Sequence, residues 1–456
     1  MQFAAAQERT AQYAFYYPNA HNTSTIPSAP TRGFLTGRVV AWSLWDWGSA
    51  AFNAVIVTFV FSVYLTNAEL FGDKANTYYG WTISLAGIIV ALVAPAVGQW
   101  TDKTGKRRTV LNISTGILVA LMAALFFVKP GMLWLGLILI ALGNIVFEIG
   151  EVVYNSMVGE MSRPGTVGRV SGFGWGMGYV GGIVLLLVLY VGFISPDVGW
   201  FGVTSEDGMN IRISMILCAA WMLIFALPLM FIARDGEPNG EVTTGVIGAY
   251  RAVVQSIVRF WKSDRNVVWF LISAAIYRDG LAGVFSFGGV LAAAGFGFSS
   301  SEVMIFGIAA NLVAGVATIV FGSLDDKLGA PRVIIFSLIA MLVAAMAVFF
   351  FHSNGKVVFW VFGLLLCVFV GPVQSASRSY LSRIAPAGGE AEIFGLYATC
   401  GRAVSFIAPF MYSVAITAGA AILGVSEADA GHWGIIGIAL VLLAGLLAFI
   451  PVARRQ

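Results

Sequence analysis

Ionisable side chains are scarce in this chain: Asp, Glu, Lys and Arg together make up 11% of its 456 residues. Soluble domains carry roughly twice that share, so the deficit excludes an ordinary water-soluble domain. Histidine and cysteine are rarer still, with three of each. Cys218, Cys367 and Cys400 fall inside apolar stretches with neither disulfide-framework nor zinc spacing, and read as small packing residues. His21, His352 and His432 sit outside those stretches, so histidine chemistry within them is not expected. No Ser-His-Asp set, phosphate loop or metal-ligand cluster is recognisable, and neither an enzyme nor a metal or cofactor is expected. The net charge of +3 belongs to loops and implies no nucleic acid partner.

What is abundant is apolar surface: 59% hydrophobic residues and 34 Phe, with a mean hydropathy of +0.86. A helix needs ~20 mostly apolar residues to cross the hydrocarbon layer. Apolar runs recur at 39–65, 79–100, 109–128, 132–160, 170–195, 210–233, 266–293, 302–324, 333–351, 357–384, 391–418 and 432–453. They predict an all-α membrane protein with twelve transmembrane helices, the lipid bilayer being its first partner. Residues 1–35, polar and rich in Ser, Thr, Asn and Pro, read as a disordered tail with no cleaved signal peptide. The longest internal connection, 234–264, divides the chain into six spans over 36–233 and six over 265–456.

Lysine and arginine in short loops stay cytoplasmic. The connections after spans 2, 4, 6, 8 and 10 and the C-terminal tail hold most of them, while the opposite connections hold Lys74, Lys129 and Lys356, with Arg212 at a border. Both termini are therefore expected in the cytoplasm. In the central connection, Tyr250, Val253, Ile257 and Trp261 share one helical stripe, and Arg251, Gln255, Arg259 and Lys262 another. That pattern suits a helix lying along the inner membrane surface as a strut between the halves.

Between spans 2 and 3, Gly98, Asp102, Gly105, Lys106, Arg107 and Arg108 form G-x-x-x-D-x-x-G-K-R-R. The glycines permit a tight turn and close helix approach, and the aspartate can accept from backbone N–H groups at a neighbouring helix start. A weaker copy, Gly322, Asp326, Gly329 and Arg332, stands between spans 8 and 9 and indicates an internal duplication. With these motifs the chain resembles the major facilitator superfamily over residues 36–453. The resemblance implies two pseudo-symmetric six-helix bundles. It also implies a cytoplasmic latch in which Asp102 and Arg107 or Arg108 meet the start of span 11 near Ala391, with Gly98, Gly105, Asp326 and Arg332 counted in the same latch. "AWSLWDWGSAAFNAVIVTFVFSVYL", "GRVSGFGWGMGYVGG" and "SRSYLSRIAPAGGEAEIFGLYATCGRAVSFIAP" resemble a narrower branch, the autophagy-related vacuole effluxer-like group. Amino-acid efflux is proposed for fungal members of that group. Drug/proton antiporters of the superfamily carry G-P-x-x-G-G in span 5; here Gly178 stands at the proline position and only Gly181-Gly182 matches.

Charged residues at membrane depth demand partners or a water-filled cavity. Asp46 lies in span 1, Glu148 and Glu151 in span 4, Arg278 and Asp279 in span 7, Arg378 in span 10 and Arg402 in span 11. In the resembled fold spans 1, 4, 7 and 10 line the central cavity. Glu148 and Glu151 share a helix face. They can carry a proton through a transport cycle, or serve as static partners of Arg278 or Arg402. Arg278 suits an anionic group of a substrate; Asp279 points roughly 100° away unless Gly280 and Gly283 break the helix. Trp42 reads as part of an interfacial belt, with Trp45 left open between belt and cavity wall. Asn53, Asn144, Asn155, Asn311 and Gln374 join helices or touch substrate.

The expected function is secondary active transport of a small polar or zwitterionic solute by alternating access, coupled to protons, in a monomer of the plasma or inner membrane. An exporter of amphipathic drugs or lipids, and a non-transporting receptor, are the alternatives.

Overall fold

The computed structural model describes residues 33–454 apart from 73–74, 239–253, 256, 263, 299, 387 and 427–429. The expected tail over residues 1–32 and the residues Tyr250, Arg251 and Val253 of the strut lie outside the described part. Among the described residues twelve helices are long and apolar enough to cross a membrane. They are α1 (Gly37–Leu65), α2 (Tyr78–Thr104), α3 (Arg107–Phe127), α4 (Leu133–Ser156), α5 (Val167–Ile194) and α6 (Glu206–Ile232), followed by α7 (Arg265–Gly289), α8 (Ile305–Leu328), α9 (Ala330–Phe350), α10 (Lys356–Ile384), α11 (Glu390–Leu423) and α12 (Gly431–Ala453). Each coincides with one of the apolar runs.

The helices form two bundles, α1–α6 and α7–α12. Outward faces are apolar: Trp134, Ile138 and Leu142 make an exposed stripe along α4, the arrangement a hydrocarbon solvent requires. Across the bundles α2 packs on α11 and α5 on α8. These approaches are close. A Cβ on Gly395 would stand 2.6 Å from the Ala94 carbonyl oxygen, and one on Gly172 2.6 Å from that of Thr318. Small residues at such crossings let backbones meet.

Several spans are irregular. In α1 the regular helix over Gly37–Ala50 is capped by the Thr36 hydroxyl, which accepts from Val39 N–H at 3.2 Å, and gives way to a π-helical stretch over Ala51–Phe59. The wider turn leaves carbonyls poorly placed, and the Thr58 hydroxyl donates to the Asn53 carbonyl at 2.7 Å.

The break in α7 that Gly280 and Gly283 would permit is absent. That helix runs uninterrupted past Gly280 and Gly283, which instead admit Leu442 and Ala408 of neighbouring helices. The break lies in α11, between Glu390–Val404 and Ile407–Leu423. Asp279 explains how it is held, because its buried carboxylate accepts the Ala408 N–H at 2.6 Å and caps the second segment. Of the central connection, Val254, Gln255 and Ile257–Lys262 are helical, with Ile257 and Trp261 exposed. Arg259 ties this segment to α11 through Glu392 at 3.4 Å.

Candidate functional site

Two of the three membrane-depth carboxylates singled out in the first bundle reach guanidinium groups of the second. Asp46 Oδ2 on α1 lies 3.3 Å from Arg378 Nη1 on α10. Glu148 on α4 pairs with Arg402 on α11. Among the described residues Glu151, one turn beyond Glu148, takes only a 3.5 Å hydrogen bond, from its own helix neighbour Asn155. Arg278 on α7 donates to the Tyr397 carbonyl at 3.3 Å and stacks over the Tyr397 ring at 4.0 Å. Among the described residues no ion pair within 4.0 Å involves Glu151 or Arg278. The cavity between the bundles is lined by Glu148, Glu151, Asn155 and Trp175 on one side. Arg278, Gln374, Arg378, Phe394 and Tyr397 line the other. Negative charge thus faces positive charge across one space.

Burial of tryptophan changes the reading of α1. Trp42 is fully buried, stacks on Tyr154 with ring centroids 4.6 Å apart, and donates its indole N–H to the Tyr154 carbonyl at 3.2 Å. It is a wall of the Arg378 site, with the guanidinium 4.8 Å from its ring, and not a belt residue. Trp45 is equally buried and donates to the Thr115 hydroxyl at 3.1 Å. Of the amides, Asn155 accepts from Arg378 at 2.9 Å, whereas Asn311 donates to the Gly307 carbonyl of its own helix. His432 falls in the first turn of α12, inside a span, and stacks on His352 with centroids 3.9 Å apart.

Beyond the cavity, the bundles are fastened at the end that carries the two motif loops. Asp102 accepts Glu392 N–H at 2.7 Å and Arg107 Nη2 at 2.7 Å; Arg107 also pairs with Glu160 and Glu390. In the duplicate, Asp326 accepts the Gly168 and Arg169 N–H groups at 2.7 and 3.0 Å, and Arg383 lies 3.2 Å away. Each motif aspartate therefore caps the first turn of a helix in the opposite bundle, where unsatisfied N–H groups attract negative charge. Gly98 and Gly322 make room: a side chain on either would collide with backbone at Ala391 or Gly168. Gly105, at φ 69°, makes the turn into α3 and its carbonyl accepts Gly236 N–H at 2.8 Å.

Two expected latch residues stand apart. Arg108 donates to the Met230 carbonyl within its own bundle, and Arg332 is exposed and donates to Leu328 of its own chain turn. Residues not foreseen include Glu160, Glu390, Glu392, Asp325 and Arg383. The acids of "GGEAEIF" at a helix start were the available signal for two of them.

Comparison with known proteins fits this geometry. The family model described as vacuole effluxer Atg22 like matches residues 162–422, and that of the major facilitator superfamily matches residues 10–186. The chain belongs to the Atg22-like family of the major facilitator superfamily. An uncharacterized MFS-type transporter of Bacillus subtilis (strain 168), YxiO, is 23% identical over 82% of this chain and 87% of its own. Autophagy-related protein 22-1 of Neosartorya fischeri is 24% identical over 62% of this chain, which spans about half of that relative, 46%. Among solved structures, the proton:xylose symporter XylE superposes with a TM-score of 0.65 at 14% identity, covering 89% of this chain and 93% of that one. That likeness concerns the fold. As a member of this family the chain is a multi-pass membrane transporter of the major facilitator type.

Proposed function

We propose that the chain moves a small zwitterionic solute, of amino-acid type, by alternating access and with proton coupling. One observation carries the reading: with Asp46 and Glu148 engaged across the bundles, Glu151 and Arg278 remain in the cavity with no ion-pair partner among the described residues. A guanidinium offers paired donors to a carboxylate, and a carboxylate opposite it suits an ammonium group. A zwitterion bridging the two satisfies both and draws the bundles together. Glu151, free of a fixed cation, is also the group able to exchange a proton during the cycle.

The loop-bearing end is taken as cytoplasmic, following the distribution of Lys and Arg. The conformation is then closed to the cytoplasm, both termini are cytoplasmic, and the chain works as a monomer in the plasma membrane. The test is thermal stabilisation of the purified protein by a panel of amino acids, short peptides and organic phosphates, followed by tracer uptake into proteoliposomes. Stabilisation by amino acids and their accumulation under an imposed proton gradient support the proposal. Stabilisation confined to hydrophobic dyes and detergent-like drugs transfers support to the amphipathic exporter.

A further inference from the structure

Arg378 is a guanidinium of the second bundle whose hydrogen-bond and ring partners, among the described residues, all belong to the first. It is 2% exposed. Nη1 donates to Asn155 at 2.9 Å and lies 3.3 Å from Asp46 Oδ2; Nε donates to the Ser171 hydroxyl at 2.9 Å, and Nη2 to the Ser171 carbonyl. The rings of Trp42 and Trp175 flank it at 4.8 and 5.0 Å. Along α10 this residue falls between Gln374, which lines the cavity, and Arg383, which holds Asp325 at 2.6 Å and Asp326 at 3.2 Å. A serine seam runs beside it: Ser171 Oγ donates to the Ser375 carbonyl at 2.8 Å.

We infer that Arg378 is a positioning residue, a bolt between the bundles that keeps the loop-bearing end closed, and not a ligand of the solute. The inference rests on the alternating-access reading. Opening that end separates α10 from α5 and draws the guanidinium away from Asp46, Asn155 and Ser171 together. Removing one partner of a buried, hydrogen-bonded ion pair is strongly unfavourable until water replaces it. The Glu148–Arg402 pair is different: the two carboxylates are equally exposed, but the Arg402 side chain is 31% exposed against 2% for Arg378, so water screens its attraction more. Arg378 therefore contributes to the barrier in a way the pair farther along the cavity does not.

The experiment measures the distance distribution between spin labels at Arg163→Cys and Arg332→Cys, exposed positions on opposite bundles at the loop-bearing end, in lipid nanodiscs. Arg378→Met is expected to raise the ratio of long to short distances at least tenfold. Arg212→Met is the control, because that buried arginine serves only its own bundle, donating to the Phe126 carbonyl at 2.7 Å; it should lower the melting temperature and leave the ratio alone. Asp46→Asn should raise the ratio too, and add little in the Arg378→Met background. If Arg378→Met does not fold, Asp46→Asn and Arg378→Lys carry the test with an expected rise of about threefold. A ratio unchanged from wild type in the folded Arg378 variants, or one that moves equally in Arg212→Met, overturns the bolt. A wild-type protein with two distance populations but no tracer exchange counts against the transport reading alone.

Discussion

Asp102, at the end of α2, accepts the backbone N–H of Glu392, in the first turn of α11, at 2.7 Å. Asp326 repeats the relationship from α8 to Gly168 at the start of α5. A short polar side chain fixed to one bundle thus holds a helix terminus of the other, and the duplication makes a two-point clasp.

Asp102→Asn keeps an acceptor for Glu392 N–H but loses the charge that meets Arg107 and the helix terminus. Capping and dipole contributions of this kind are worth about 1 to 2 kcal/mol, so the closed state should lose roughly tenfold in population. Accessibility of single cysteines at the loop-bearing end to a membrane-impermeant thiol reagent reads this directly. Unchanged labelling rates count against the clasp.

Gly98→Ala should block closure of the same end, because the new methyl meets the Ala391 carbonyl. Overpacking of this kind costs about 1 to 3 kcal/mol. Since the collision is between bundles, each bundle should stay folded, and helix content by circular dichroism should match wild type while transport falls at least tenfold. Lost helicity would show that the glycine serves folding instead.

Arg332→Ala and Arg107→Ala separate the motif from its clasp. Arg332 is exposed and bonds only to its own chain turn among the described residues, so its removal should alter stability by less than ~0.5 kcal/mol and uptake by under twofold. Arg107→Ala, which leaves Asp102, Glu160 and Glu390 without their shared cation, should reduce uptake tenfold or more. Equal effects from Arg332 and Arg107 would refute the asymmetry.

Glu148→Gln and Glu151→Gln distinguish the two neighbouring carboxylates. Glu148 is tied to Arg402; its neutralisation should weaken uptake about threefold to tenfold and leave the dependence on an imposed pH gradient in place. Glu151→Gln should abolish gradient-driven accumulation while solute exchange continues. The assay is tracer flux in proteoliposomes, with and without a proton gradient. Accumulation preserved in Glu151→Gln removes Glu151 from the proton path.

The number and order of spans were legible because crossing a bilayer requires long apolar runs, and the loop motifs were legible because turn glycines and a capping aspartate keep fixed spacing. Which charges meet was legible only in part: Arg402 stood among the partners named for Glu148, and the structure pairs them, whereas Asp46 had no partner named. Asp46 and Arg378 are 332 residues apart, Glu148 and Arg402 254 apart, and no local pattern encodes such pairings. Trp42 was misplaced for a related reason: a tryptophan near a membrane boundary has the same sequence context whether it faces lipid or another helix. The glycines of α7 pointed to a break that instead lies in α11, because Gly280 and Gly283 serve packing against Leu442 and Ala408. Asp279 is consumed in capping the true break.

Exchange of a mixture of radiolabelled amino acids, inside against outside, by proteoliposomes containing wild type or Arg278→Gln tests the central claim that opposed charges in one cavity hold a zwitterion. Wild type should exchange label, and Arg278→Gln should fall at least tenfold while remaining folded. Equal exchange by the two proteins would contradict the account.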